Sequence, residues 1–197
     1  MASLITAALV AILMQNIVFE RLFGLNALLY ASRKKSHVIG FTLGMCYIVI
    51  IASAITWGLN QLLFSGINGE KYRLVFAPLL YIFIVGIIYI ISLIIIWKYI
   101  HKLYRKIKSY VHMTVTNCAI LGGLFINSQS GAGFWSSMGY GIGTVAGFFV
   151  AGYLLYVAHE RLNSELVPAA FRGMPIMIIY VGVLSMALHA FAGYVVV

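Results

Sequence analysis

Two cysteines occur in the 197 residues, and their surroundings differ. Cys118 follows Asn117 and precedes Ala119-Ile120-Leu121-Gly122-Gly123. A thiolate is the natural ligand for soft metals. A glycine pair beside it permits unwound backbone and close approach of a cofactor. The same thiol can also be read as a small packing side chain, since no second ligand adjoins it. Cys46, among Met45, Tyr47 and Ile48, reads as a packing residue. A second polar cluster interrupts the first apolar run: Glu20-Arg21, then Gly24-Leu25-Asn26. Ionisable groups at that depth are candidates for ion passage. Adjacent helical residues do not face each other. The Glu20-Arg21 pair therefore needs an interrupted helix, or an Arg21 that reaches towards an interface. His112 and His189 stand singly and read as packing histidines. There is no HExxH, no phosphate-binding glycine loop and no nucleophile–base pair, so no catalytic residue is assigned.

These groups are carried by an unusual chain. It is 63% hydrophobic and 9% charged. Soluble globular domains run about 45–50% apolar and about 25% charged. That excludes a soluble domain, a disordered chain and a nucleic-acid binder. A bilayer pass needs about 20 apolar residues. Six stretches qualify: Leu4–Ala31, Val38–Phe64, Leu74–Trp97, Val111–Asn127, Phe134–Ala158 and Met174–Val197. They are too long and too evenly apolar for barrel strands. The expectation is an all-α integral membrane protein, one membrane domain over 1–197, with no cleavable signal peptide. Ala7 and Ala11 suggest a small-residue face for close helix packing.

The loops after the first, third and fifth passes hold Arg33, Lys34, Lys35, Lys98, Lys102, Arg105, Lys106, Lys108, Arg161 and Arg172. The opposite face holds Lys71 and Arg73. Basic loops stay cytoplasmic, so both termini are expected outside. The net charge of +9 then reports orientation, with contact to anionic membrane lipid.

The halves 1–99 and 100–197 also resemble each other. Gly40-Phe41-Thr42-Leu43-Gly44 lies over Gly139-Tyr140-Gly141-Ile142-Gly143, and Tyr72-Arg73 over Phe171-Arg172. Three passes per half make a 3+3 inverted repeat, a plan that builds central sites in transporters. Its first and fourth helices are expected to be interrupted, with the functional centre where they meet.

A family resemblance rests on three segments. Thr116-Asn117-Cys118-Ala119-Ile120-Leu121-Gly122-Gly123 is similar to the TNCA(I/V)xG segment of membrane subunits in Rnf and Na⁺-translocating NADH:quinone reductase complexes. Val167-Pro168-Ala169-Ala170-Phe171-Arg172-Gly173 resembles their VPxxFRG segment. Asn16, then Gly24–Ser32 with Arg33-Lys34-Lys35, resembles their GLCPxxxxSKK stretch. Order and spacing agree along nearly the whole chain, with the RnfA/NqrE type matching best.

The resemblance implies a subunit of a bacterial or archaeal inner-membrane translocase that couples electron transport to Na⁺ or H⁺ movement. It would not be a catalyst alone. It implies a homologous six-helix partner of the RnfE/NqrD type, flavin-bearing neighbours, and a [2Fe–2S] cluster shared by the pair. Each partner would give one cysteine from helix 1 and one from helix 4. Cys118 matches the helix 4 ligand, flanked by Asn117, Gly122, Gly123 and Gly24. The helix 1 ligand position falls on Asn26, and the acidic residue of the third helix is absent around Ser92. Two alternatives stay open: a cluster-free anchoring paralogue, and a small transporter such as a vitamin-binding membrane component.

Overall fold

The computed structural model describes residues 2–63, 69–99, 111–131, 133–165 and 167–192. These residues are helical, with no strand among them. Helix α1 (Ala2–Leu9) runs into a π-helical turn over Val10–Met14. Then come α2 (Ile17–Arg21), α3 (Leu25–Ala31), α4 (Lys35–Leu63) and α5 (Gly69–Tyr99). A helical segment over 111–115, α6, precedes α7 (Cys118–Gln129), α8 (Phe134–Leu162) and α9 (Met174–Ala192).

Among the described residues, three helical spans are long and apolar enough to cross a bilayer: Lys35–Leu63, Val75–Lys98 and Phe134–Leu162. Shorter apolar helices cover Ser3–Met14, Cys118–Gln129 and Met174–Ala190. Helices α4 and α5 overrun the apolar stretches expected from sequence. Their backbone hydrogen bonding continues into the polar ends at Lys35-Ser36 and Gly69. The basic residues Lys102, Arg105, Lys106 and Lys108, and the end of the last pass at Val197, lie outside the described residues.

The first apolar stretch is not one helix. The Gln15 N–H bonds the Val10 carbonyl at 2.8 Å, closing the π turn. The chain then turns extended at Asn16, with φ −66° and ψ 114°. It breaks again at Leu22 and Gly24, both at positive φ. The fourth stretch breaks once, at Asn117, with φ −81° and ψ 117°. Such breaks survive in hydrocarbon only where side chains satisfy the freed backbone. Asn16 does this in both directions. Its Oδ1 accepts the Val18 and Phe19 N–H groups, and its Nδ2 donates to the Ile12 and Gly147 carbonyls. Asn117 accepts the Ala119 N–H at 3.0 Å.

Helix α8 is the central element, packed against α1 on one side and α4 on the other. Gly139, Gly143 and Gly147 recur every fourth residue and so form one helical stripe. The α1 backbone lies directly on it. A Cβ at Gly143 would stand 2.5 Å from the Ala8 carbonyl oxygen and 2.7 Å from the Ala11 Cβ. The small face expected at Ala7 and Ala11 is thus shifted: Ala11 is fully buried there, but Ala8 and Leu4 supply the rest. The α4 side of α8 stacks Phe41 on Phe148 within the apolar core. A polar chain ties the other helices together. The Tyr81 hydroxyl donates to Asn60, and Asn60 donates to Ser128, joining α5, α4 and α7. The outer face of α5 presents Leu79, Phe83, Ile87, Ile90 and Ile94, each more than half exposed. That face suits lipid contact.

Candidate functional site: the crossing of two broken helices

The two interrupted stretches meet. Cys118 is the first residue of α7, and Asn117 caps it. Across the crossing, the Gly24 N–H donates to the Cys118 sulfur at 3.0 Å. Gly24 is required there twice over. Its φ of 77° is costly for any side chain. A Cβ would also lie 2.5 Å from Asn117 Oδ1. The Phe23 ring beside it lies over Gly122, where no Cβ would fit.

Cys118 is exposed, whereas Cys46 is half-buried against the core. The sulfur opens on a cleft of about 330 Å³ lined by Gly24, Asn26, Ala27, Tyr30, Met113, Thr116, Asn117 and Cys118. Backbone N–H groups directed at a sulfur are one of the devices that tune iron–sulfur potentials.

Six residues singled out in the sequence therefore converge: Cys118, Asn117, Gly24 and Asn26 on the cleft, Gly122 and Gly123 behind it. One reading needs correction. Gly122 and Gly123 do not unwind the helix. Both lie inside α7, and the break falls before Cys118. Their lack of a side chain instead admits Phe23 on one side and Thr144 and Ile17 on the other. Tight packing, not local unwinding, explains the pair.

Glu20 and Arg21 do not join this cleft. Both are exposed. Glu20 lines a separate narrow crevice with Asn16, Phe19, Ser185 and His189. His112 is exposed, with its ring 3.1 Å from the Tyr89 hydroxyl. The role of Asn16 as a two-way bridge between α2 and α8 was not read from sequence. The available signal was an asparagine placed just before an apolar helical run.

As a metal site the cleft is incomplete. Among the described residues no group of three or more His, Cys, Asp or Glu side chains could hold a metal. Cys118 fits one cluster-ligand position: an accessible sulfur with a backbone N–H directed at it. Asn26 does not fit a thiolate position, because a carboxamide is a poor ligand for iron–sulfur. The cleft offers one thiolate, from Cys118.

The sequence matches the pattern of the family described as "Rnf-Nqr subunit, membrane protein" over residues 4–195. The chain belongs to the Rnf-Nqr family. Its curated relatives in this family include the A-type subunit of the ion-translocating oxidoreductase complex of Azoarcus sp., 33% identical over 181 residues and 92% of each chain. The corresponding protein of Syntrophotalea carbinolica is 32% identical over 195 residues, 99% of each. That of Cereibacter sphaeroides is 32% identical over 181 residues, 92% of each. The match runs essentially end to end, so this Rnf-Nqr chain is a multi-pass membrane protein, consistent with its apolar helices.

Proposed function

We propose that this chain is the membrane-embedded, RnfA-like component of an ion-translocating oxidoreductase complex. Within it, Cys118 lends one thiolate to a [2Fe–2S] cluster shared with a homologous six-helix partner. The observation that carries this reading is the exposed Cys118 sulfur at the crossing of two broken helices, with the Gly24 N–H on it. The cluster, when bound, would supply a one-electron carrier. The residues of this chain hold its ligand: Asn117 fixes the α7 terminus, Gly24 directs an N–H at the sulfur, and Gly122 lets the two breaks approach.

The same reading includes a 3+3 inverted repeat. Helices α4 and α8 are each 29 residues long and start 99 positions apart, at Lys35 and Phe134. Each half also has an extended asparagine capping the second part of its broken first helix, Asn16 and Asn117. With the basic loops inside, both termini face outward, and the membrane is the cytoplasmic membrane. One observation favours a second reading. Asn26 on the Cys118 cleft suits a cluster-free paralogue that anchors redox partners.

Removal of this subunit tests the functional reading. Inside-out vesicles lacking only this chain are expected to lose Na⁺ or H⁺ uptake driven by NADH or reduced ferredoxin. Wild-type chain supplied in trans restores it. Undiminished uptake without the chain contradicts the proposal.

A further inference from the structure

A second cleft, of about 440 Å³, opens between α3, α8 and α9. Its polar lining is Asn26, Tyr30, Arg33, His159 and Asn163. Gly173 and Met174 at the start of α9 complete it. Among the described residues no carboxylate lines it. The Arg33 guanidinium has no hydrogen bond or ion pair among the described residues. Asn163 donates its amide N–H₂ to the His159 backbone carbonyl at 2.9 Å, which holds the Asn163 side chain at the end of α8.

We propose that this cleft binds the phosphate of an anionic phospholipid. Two features agree on an anion. Arg33 offers a planar fork of donors that suits phosphate oxygens. His159 and Tyr30 each offer a further donor. The 19-residue α9 begins at the cleft. Gly173, at φ 97°, turns the chain sharply into that helix. The source is a lipid because the cleft continues onto an apolar surface. Phe171, Met174 and Ile178 are about half exposed along the start of α9, where acyl chains would lie. Basic pockets between membrane helices are a recurrent form of headgroup site. The two clefts adjoin, sharing Asn26 and Tyr30, but Arg33 and His159 line only this one, so their substitution tests the lipid site without touching the Cys118 cleft.

The test uses the whole complex, purified in mild detergent, depleted of lipid and titrated with phosphatidylglycerol, with native mass spectrometry counting bound lipid. Phosphatidylglycerol is expected to bind, and phosphatidylcholine to bind much more weakly. Arg33→Gln should weaken phosphatidylglycerol binding roughly fivefold, the loss of one basic contact. His159→Gln should weaken it to a smaller degree and serves if Arg33→Gln fails to assemble. Lys34→Gln, which removes a neighbouring exposed charge outside the cleft, should leave binding unchanged. Equal loss in Lys34→Gln and Arg33→Gln overturns the site in favour of diffuse surface charge. Retention of inorganic phosphate in place of the lipid overturns the lipid source. A partner chain cross-linked into the cleft with no lipid retained overturns the proposal outright.

Discussion

Gly143→Val is expected to leave little folded protein in the membrane. The α1 backbone lies on the Gly143 face of α8, so even the first carbon of a side chain would fall 2.5 Å from the Ala8 carbonyl oxygen. No rotamer change relieves a clash with backbone. The two helices must separate, and the contacts along Gly139, Gly143 and Gly147 go with them. Overpacking of this kind costs about 1–3 kcal/mol, and more where the neighbour is backbone. A matched control isolates the cause. Gly86 in α5 has nothing within 4 Å of a Cβ position, and Gly86→Val carries a similar change in helix propensity. Unfolding of purified protein in graded denaturing detergent should show Gly143→Val shifted strongly and Gly86→Val near wild type. Equal behaviour of the two would refute the account of α8 as a glycine stripe seating α1.

Asn16→Leu, which keeps the branched outline and removes every polar atom, is expected to be strongly destabilising. Asn16 is 3% exposed and makes four hydrogen bonds. Leucine leaves two N–H groups at the start of α2 and the Ile12 carbonyl without that partner, while the Gly147 carbonyl keeps its bond within α8. In a water-free interior each abandoned buried group costs about 1–3 kcal/mol. Several such losses match the whole stability of a typical domain, about 5–15 kcal/mol. Asn16→Ser separates the two functions of the residue. Serine retains the cap on α2 but cannot reach both carbonyls, so its stability should fall between wild type and Asn16→Leu. A serine variant no better than leucine would show that the cap contributes nothing.

Much of this architecture is legible in the sequence because the bilayer allows few alternatives. A polar residue or glycine inside a 20-residue apolar run must be accommodated, and that points to interruptions within Glu20–Asn26 and within Thr114–Gly123, the second of which falls at Asn117. The convergence of Gly24, Asn26 and Cys118 follows from the two broken stretches meeting. What the sequence conceals is tertiary. Glycine serves equally to unwind a helix and to admit a neighbour. Only the Phe23 ring lying on Gly122 shows that the pair in α7 does the latter. Ala7 and Ala8 are adjacent and equally small, and the position of α8 decides that Ala8 is the contact. The π turn at Val10–Met14 lies in an unbroken apolar run, so composition carries no mark of it. Glu20 draws notice as an intramembrane charge, yet it opens on a crevice with His189 that is separate from the Cys118 cleft.

Asn26 is the residue on which the central claim turns, since a fully thiolate-ligated site would have cysteine there. With one thiolate from this chain, the other ligands must come from elsewhere in the complex. The most direct measurement is iron and acid-labile sulfide content, together with the reduced EPR spectrum, of the complex purified on a tag on this chain. Wild type and Cys118→Ser are to be compared, because neighbouring subunits contribute cofactors of their own and the difference is the informative quantity. The account predicts that Cys118→Ser removes or reshapes a [2Fe–2S] signal and lowers iron by about two per complex, with assembly intact. An unchanged spectrum and unchanged iron in an assembled Cys118→Ser complex would contradict it.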